Sequence, residues 1–547
     1  MSVEGDLAMA EANSSRETDM DRVVFVIRHV DQTDYASDLY TDLVGFVSAG
    51  ARCFVIKDDL DCRGLGSIQA QLVQTGDALS TICHAMESSP TDLYIFSRSI
   101  DNFEPDFVDR IWSVIGSGVD FVISDFDYEL QPGARSSRET LCSWNMDYAL
   151  ALDFAGPFFA LSRRAFESLA NEFLCFNDLA HATSTGLRLE ALGQEFTSHR
   201  LVGANYHNGE RRITSDPRAE FYSYDASLSA AMALASQLGD NIGIRQSIDS
   251  KKRWVDYHHA SPEPSVAIVI PTRDHLELLG SVVHSILNKT KYLNYRLVII
   301  DNDSAEHRVL EYLEHLRGLG VEIVRYPGIF NYAAMHNAVV PKLNCDFVCF
   351  INNDVLIQDP YWLSDFIALG TRRDVGVVGA KLLYADRSVQ HAGVLIGGNG
   401  ESSHYFKGIE VDDPGYRDRA KVTVELMAVT GAALLTRHGL FCELGGFDAE
   451  NFAISFNDID YCLRVRQVGY RVLFNPAVQL FHFESKSRKL DSANEQSAAR
   501  HHRELASMRK KWGTTFEFDP YFNPDLDPWD PTFSTLRGDF EAVVRSE

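Results

Sequence analysis

Short apolar runs ending in polar residues recur in the same order in both halves of the chain, and no other feature restricts the fold as much. Val23-Val-Phe-Val-Ile27 answers Val266-Ala-Ile-Val-Ile270, and Arg52-Cys-Phe-Val-Ile56 answers Arg296-Leu-Val-Ile-Ile300. Asp92-Leu-Tyr-Ile-Phe96 answers Asp346-Phe-Val-Cys-Phe350 in the same way. Each run has the length of a buried strand, and helical patterns separate them. Those patterns lie near 68–86 and 106–115 in the first half. In the second, one helix places Leu276, Leu279, Val283, Ile286 and Leu287 on a single face. Strands alternating with helices build a mostly parallel sheet. The expected fold is therefore α/β, one design used twice in tandem.

The domain limits follow from composition. Residues 1–20 are small and polar and are expected to be disordered. A first domain over 21–215 precedes a helical linker at 216–261, rich in Ala, Ser and Leu near its start. Pro262-Glu-Pro264 resists helix and opens a second domain over 262–490. A basic helix at 501–512 and an acidic, Pro-rich end occupy 491–547.

The formal charge of -26 on 547 residues excludes a nucleic-acid binder as the first reading, because phosphate contacts need a basic face. The nine cysteines are scattered without a C-x-x-C pair, as in a reducing compartment. No apolar run reaches the ~18 residues of a membrane span, and the start lacks a basic-then-apolar signal. A cytoplasmic protein is expected.

The polar endings differ between the halves. In the second, the strands end at Asp301-Asn302-Asp303-Ser304 and at Asn352-Asn353-Asp354; in the first, Lys57 and Ser97-Arg98-Ser99 stand in those places. Ligands of open α/β sheets bind beyond the carboxyl ends of the strands. A carboxylate delivered there suits Mg²⁺ or Mn²⁺, which take hard oxygen ligands. An Arg in its place cannot hold a cation. The chemistry is therefore expected in the second half, with the first a degenerate copy. The plainer reading of both endings is a turn, since Asn and Asp form Asx turns readily.

Nine motifs in order carry a family resemblance: Val269-Ile-Pro-Thr-Arg273, Ile300-Asp-Asn302, Phe330-Asn-Tyr332, Asn352-Asn-Asp354, Val389-Gln-His-Ala-Gly393, Thr430-Gly-Ala432, Gly445-Gly-Phe-Asp448, Phe456-Asn-Asp-Ile-Asp460 and His482-Phe-Glu-Ser-Lys-Ser-Arg488. Residues 262–490 resemble a bacterial family 2 glycosyltransferase with the GT-A fold, of the rhamnosyltransferase-like kind found in O-antigen and capsule biosynthesis. The resemblance implies two GT-A-like (Rossmann-like, mostly parallel sheet) domains in tandem, the first degenerate. It implies an inverting, metal-dependent transfer from a UDP- or dTDP-sugar to a surface glycan. A lipid-linked acceptor would bring the protein to the inner face of the membrane as a peripheral partner.

By the same resemblance, Asn352-Asn353-Asp354 takes the D-x-D position. Asp354 would ligate the divalent cation, Mg²⁺ or Mn²⁺, with Asn352 where a first carboxylate often lies. His482 matches a further metal or diphosphate contact. Asp301 matches the aspartate that reads the base or ribose, Pro271 and Thr272 belong to the first loop of that pocket, and Asn337 lies on the helix lining it. Asp458 matches the catalytic base, with Asp460 as the second candidate. Plainer roles exist for each: a packed imidazole for His482, an Asx turn for Asp301, a helix N-cap for Asp458. Two rival classes stay open. A nucleotidyltransferase usually carries a Gly-rich, basic first loop, unlike Pro271-Thr-Arg-Asp274; a non-catalytic binding protein would bind nucleotide without turnover.

Overall fold

The structure is a computed structural model. It describes residues 22–28, 51–57, 71–74, 91–97, 102–104, 106–128, 137–156, 158–172, 182–193, 196–202, 206–208, 224–239, 241–246, 252–258, 262–397, 402–483, 495–530, 532, 533, 535 and 536. The expected disorder at 1–20, the Arg98-Ser99 pair, the Phe176-Asn177-Asp178 motif and the Lys486–Lys489 run lie outside these residues. The chain divides into two compact units, 1–256 with Asn523–Asp525, and 257–522 with Leu526–Glu547.

The second unit is built on a ten-stranded sheet. Its main path runs Glu322–Arg325, Tyr295–Asp301, Val266–Thr272, Phe347–Ile351, Ala433–Arg437, Val375–Leu383, Arg471–His482 and Val355–Ile357. The first four strands are mutually parallel, and Ala433–Arg437 runs against them. Every residue of Val266–Thr272 and of Phe347–Ile351 is buried, as β-branched and aromatic runs covered on both faces require. The helix Leu276–Lys289 covers one face with Leu279, Val282, Val283 and Ile286. Leu287, expected on that face, is 40 % exposed, and Val282 takes its place.

Two strands expected at 472–474 and 478–481 are one, Arg471–His482. Pro476 falls where its partner register jumps from Asn475 to Gln479. A proline cannot donate to the ladder, so a bulge is where a continuous strand tolerates one. Of the strand expected over 422–429, only Val424–Glu425 forms.

The first unit carries a seven-stranded sheet in the order Gln71–Gln74, Arg52–Lys57, Val23–Arg28, Leu93–Ser97, Phe158–Ser162, Phe121–Ser124 and Ser198–Leu201. Strand for strand, this is the order and direction of the second sheet from Glu322–Arg325 to Arg471–His482. Gln71–Gln74 falls inside a stretch expected to be helical; it is an edge strand parallel to Arg52–Lys57. The expected linker also differs. The helix Tyr224–Leu238 and the strands Ile242–Gln246 and Arg253–Tyr257 lie in it, and almost all of it belongs to the first unit. The buried Arg253 guanidinium explains why, because it pairs with Asp153 at 2.8 Å and donates to the carbonyls of Leu150 and Ala149 at 2.9 and 2.6 Å.

Candidate functional site

Parallel pairing sets the first two groups side by side. Thr272 is the register partner of Asp301, and the Asn302 N–H donates to the Thr272 carbonyl at 2.8 Å. Phe347–Ile351 flanks the same strand on its other side, and beyond its end the Asn353 amide donates to Thr272 Oγ1 at 3.3 Å. Asn352 closes the turn on the next strand, its N–H donating to the Ala432 carbonyl at 3.0 Å. Pro271 is buried within its strand. The carboxyl ends of three parallel strands and the entry to an antiparallel one thus share one edge.

Asp301 is buried, and its Oδ1 accepts from the Ser304 N–H at 3.0 Å, so the Asx turn forms. A second loop locks onto this turn: the Asp274 N–H donates to Ser304 Oγ at 2.8 Å, and Asp274 Oδ1 accepts from Ala305 and Glu306. Asn337 is turned elsewhere. Its amide donates to the Phe447 carbonyl at 2.7 Å and accepts from the Phe447 N–H at 2.8 Å, bracing that loop with both ends.

Asp354 and His482 face each other, Oδ1 to Nε2, at 3.1 Å. They are held by pairing: Val355 is the register partner of His482, and the Phe483 N–H donates to the Asp354 carbonyl at 3.0 Å. His482 Nδ1 lies 2.7 Å from Gln390 Oε1. Ligands about 2.1 Å from one octahedral cation and at right angles to each other sit about 3 Å apart, so the pair fits two positions on a Mg²⁺- or Mn²⁺-sized ion. Among the described residues no group of three or more His, Cys, Asp or Glu is arranged to hold a metal. Ions of this kind commonly take one or two protein ligands and complete their shell with phosphate oxygens and water. His391 is a neighbour with a different task, since its Nε2 accepts from the Thr430 N–H at 3.4 Å. Burial, with His404 and His482 beside it, pushes its imidazole well below the usual range.

Asp458 lies in the first turn of the helix Asn457–Gln467; the cap position is Phe456, in a left-handed conformation at φ 63. Asp458 Oδ2 accepts from the Gly431 N–H at 2.7 Å, and Gly431 is next to the Ala432 that binds Asn352. The Tyr332 hydroxyl donates to the Gly431 carbonyl at 3.1 Å and closes this corner. Asp460, by contrast, is fully buried and bound to Arg464 at 2.8 Å, Trp512 at 3.0 Å and Lys511 at 2.6 Å. Gln390 and Glu504 were given no role in the sequence. The first sits inside the Val389-Gln-His-Ala-Gly393 motif, whereas nothing local marks the second.

A mixed sheet with polar groups gathered beyond its parallel strands defines the second unit as an α/β domain with its candidate site at one sheet edge. Residues 262–507 match the family model described as "Glycosyltransferase like family 2", and over this span the chain is similar to that family. The chain is 32% identical over 266 residues to the O-antigen biosynthesis protein RfbC of Myxococcus xanthus, 48% of this chain and 20% of that protein. It is 40% identical over 265 residues to protein y4gI of Sinorhizobium fredii, 48% of this chain and 29% of that protein. The chain therefore spans well under half the length of these curated relatives. Among solved structures, a mannosyltransferase from Pyrobaculum calidifontis in complex with GDP-Man and Mn2+ shares 14% identity over 53% of this chain and 78% of that one, with a TM-score of 0.36. GalNAc-T7 with UDP, GalNAc and Mn2+ shares 15% over 40% of this chain and 43% of that one, with a TM-score of 0.33. No helix among the described residues is long and apolar enough to cross a membrane.

Proposed function

We propose that the second unit transfers a sugar, with inversion, from a UDP- or dTDP-sugar to a growing surface glycan, and that it needs a divalent cation. The observation that carries this reading is the gathering of Asp301, the Asp354–His482 pair and Asp458 at one edge of one sheet. Asp301 and Thr272 would receive the nucleoside, with Asn352 and Asn353 shaping the floor between them and the diphosphate. Asp354 and His482 would hold the cation, Mg²⁺ or Mn²⁺. When bound, that ion offsets the charge developing on the departing diphosphate.

Asp458 is the base. The Gly431 N–H fixes its carboxylate, and each carboxylate oxygen keeps further lone-pair capacity. The acceptor hydroxyl gives its proton to Asp458 while its oxygen bonds to the anomeric carbon. The bond from that carbon to the diphosphate oxygen breaks, and its electron pair leaves with the diphosphate. One displacement of this kind inverts the centre. The O-antigen name of the Myxococcus xanthus relative supports a surface-polysaccharide acceptor. A lipid-linked acceptor would place the work at the cytoplasmic face of the membrane.

Asp458→Asn is expected to lower turnover by about 10²–10⁴-fold, the usual worth of a positioned base. Its binding of UDP with Mn²⁺, read by thermal shift, should match the wild type. Near-normal turnover would remove Asp458 from the role. Consumption of nucleoside triphosphate with sugar 1-phosphate would instead mark a nucleotidyltransferase.

A further inference from the structure

The Asp354–His482 pair is held from behind by a residue for which the reaction has no direct use. Gln390 lies in the short strand Val389–His391, antiparallel to Val375–Leu383. Leu382 pairs with His391 and the adjacent Leu383 pairs with Val389, so Gln390 is the extra residue of a β-bulge. Bulges beside active sites re-aim a side chain. Here the bulge sends a buried amide towards His482. Gln390 Oε1 lies 2.7 Å from His482 Nδ1, and Gln390 Nε2 donates to the carbonyl of the same histidine at 3.4 Å.

That second contact orients the amide. A backbone carbonyl only accepts, so the NH₂ end must face it and the oxygen must face the ring. An amide oxygen also only accepts, so His482 Nδ1 must carry the proton. When the ring is neutral, it presents the Nε2 lone pair to Asp354 Oδ1 at 3.1 Å. Two acceptors that close repel unless a proton or a cation lies between them.

We infer that Gln390 is a positioning residue which fixes the His482 tautomer and ring orientation, and so turns the Asp354–His482 pair into a divalent-cation site. The inference rests on the cation reading above and adds to it the residue that makes the histidine competent. Removing the group that holds a metal-binding histidine by its other nitrogen typically weakens metal affinity 10–100-fold.

The test is Mn²⁺ binding to the full chain with UDP present, followed by electron paramagnetic resonance, with ¹⁴N coupling as the signature of an imidazole on the ion. Gln390→Met removes the acceptor; it should weaken Mn²⁺ about 10–100-fold and diminish the nitrogen coupling. Gln390→Glu keeps an acceptor at the same place and should hold affinity within a few-fold, with the coupling intact. Gln390→Met combined with His482→Ala should bind no more weakly than His482→Ala alone, because the glutamine acts only through the ring. Wild-type affinity and coupling in Gln390→Met would overturn the inference, as would a Gln390→Glu variant that loses the ion. If Gln390→Met does not fold, Gln390→Glu decides alone by the same two outcomes. A wild type that binds Mn²⁺ while these variants fail to separate sinks only this inference. A wild type that binds none sinks the cation reading and takes this inference with it.

Discussion

Asp458 and Asp460 are two positions apart on one helix and meet opposite surroundings. Among the described residues the long-range hydrogen bond of Asp458 is that from the Gly431 N–H, whereas Asp460 is enclosed by Arg464, Trp512 and Lys511. Asp460 is the fully buried member of this set and Arg464 and Lys511 reach solvent, so its removal costs somewhat less than the about 3–5 kcal/mol of a fully buried pair. Asp460→Ala should therefore lower the thermal midpoint of its unit by many degrees, and Asp458→Asn should barely move it. Equal midpoints would mean that Asp460 is not structural. The helix was legible in the sequence, and so was the fact that the two acids diverge around it. The identity of their partners was not, because Lys511 and Trp512 lie some fifty residues further along the chain. His336 supplies a pH dependence of its own. Burial beside Tyr332, Phe350 and Phe447 pushes its imidazole from 6.5 down to about 4. A depressed imidazole favours the folded state above its unfolded pKa. That contribution, up to a few kcal/mol, is lost as pH falls from about 6.5 towards 4. The wild-type midpoint should thus drop more between pH 7 and pH 4.5 than that of His336→Phe, which has no proton to take up. Parallel drops would show that the ring protonates without penalty.

The helix Glu495–Trp512 lies outside the sheet and braces the loop that leads to the proposed base. Its inward residues Glu504, Leu505, Met508 and Trp512 are buried, a helical spacing readable from the sequence. Glu504 is the informative one. Its two carboxylate oxygens accept from the N–H groups of Ile454 and Ser455 at 3.2 and 2.9 Å, and the His501 ring stacks on Phe456 at 5.2 Å. Those residues lead directly into the left-handed Phe456 and the helix that carries Asp458. A carboxylate in a basic helix reads as one side of a surface ion pair, so only the fold shows it as a clamp. Glu504→Ala would leave two half-buried N–H groups without their acceptor, up to about 1–3 kcal/mol each. The loop should loosen, lowering kcat about 10-fold or more with little change in KM for the nucleotide sugar, whose proposed contacts lie on other strands. A rise in KM with kcat unchanged would separate the clamp from the base. The edge strand Gln71–Gln74 is the reverse case, since four residues with a single-sided partner give too short a pattern to tell strand from helix.

The two sheets share their strand order, and the correspondence extends to individual residues. Val24 pairs with Arg52 as Ala267 pairs with Arg296, which puts Lys57 at the place of Asp301. His207 pairs with Asn102 outside the seven-stranded sheet, so the place of His482 is not repeated within it. One design used twice was legible because strand order follows from the order of apolar runs. Whether both copies work depends instead on single residues at strand ends. A lysine cannot accept the hydrogen bonds that an aspartate accepts from a base or ribose, so the first sheet lacks the receptor that the second is proposed to use. The expectation for the whole chain is one metal nucleotide, not two. Titration calorimetry with UDP and Mn²⁺ should give a stoichiometry near one per chain, and Asp354→Ala should abolish all of the heat rather than half. The same ligand at a hundred times its Kd would stabilise its host by about 2.7 kcal/mol, so of two melting transitions only one should rise. A stoichiometry near two, or heat surviving in Asp354→Ala, would mean that the first sheet binds nucleotide by contacts other than those at Lys57, and the reading of that unit as a degenerate copy would be wrong.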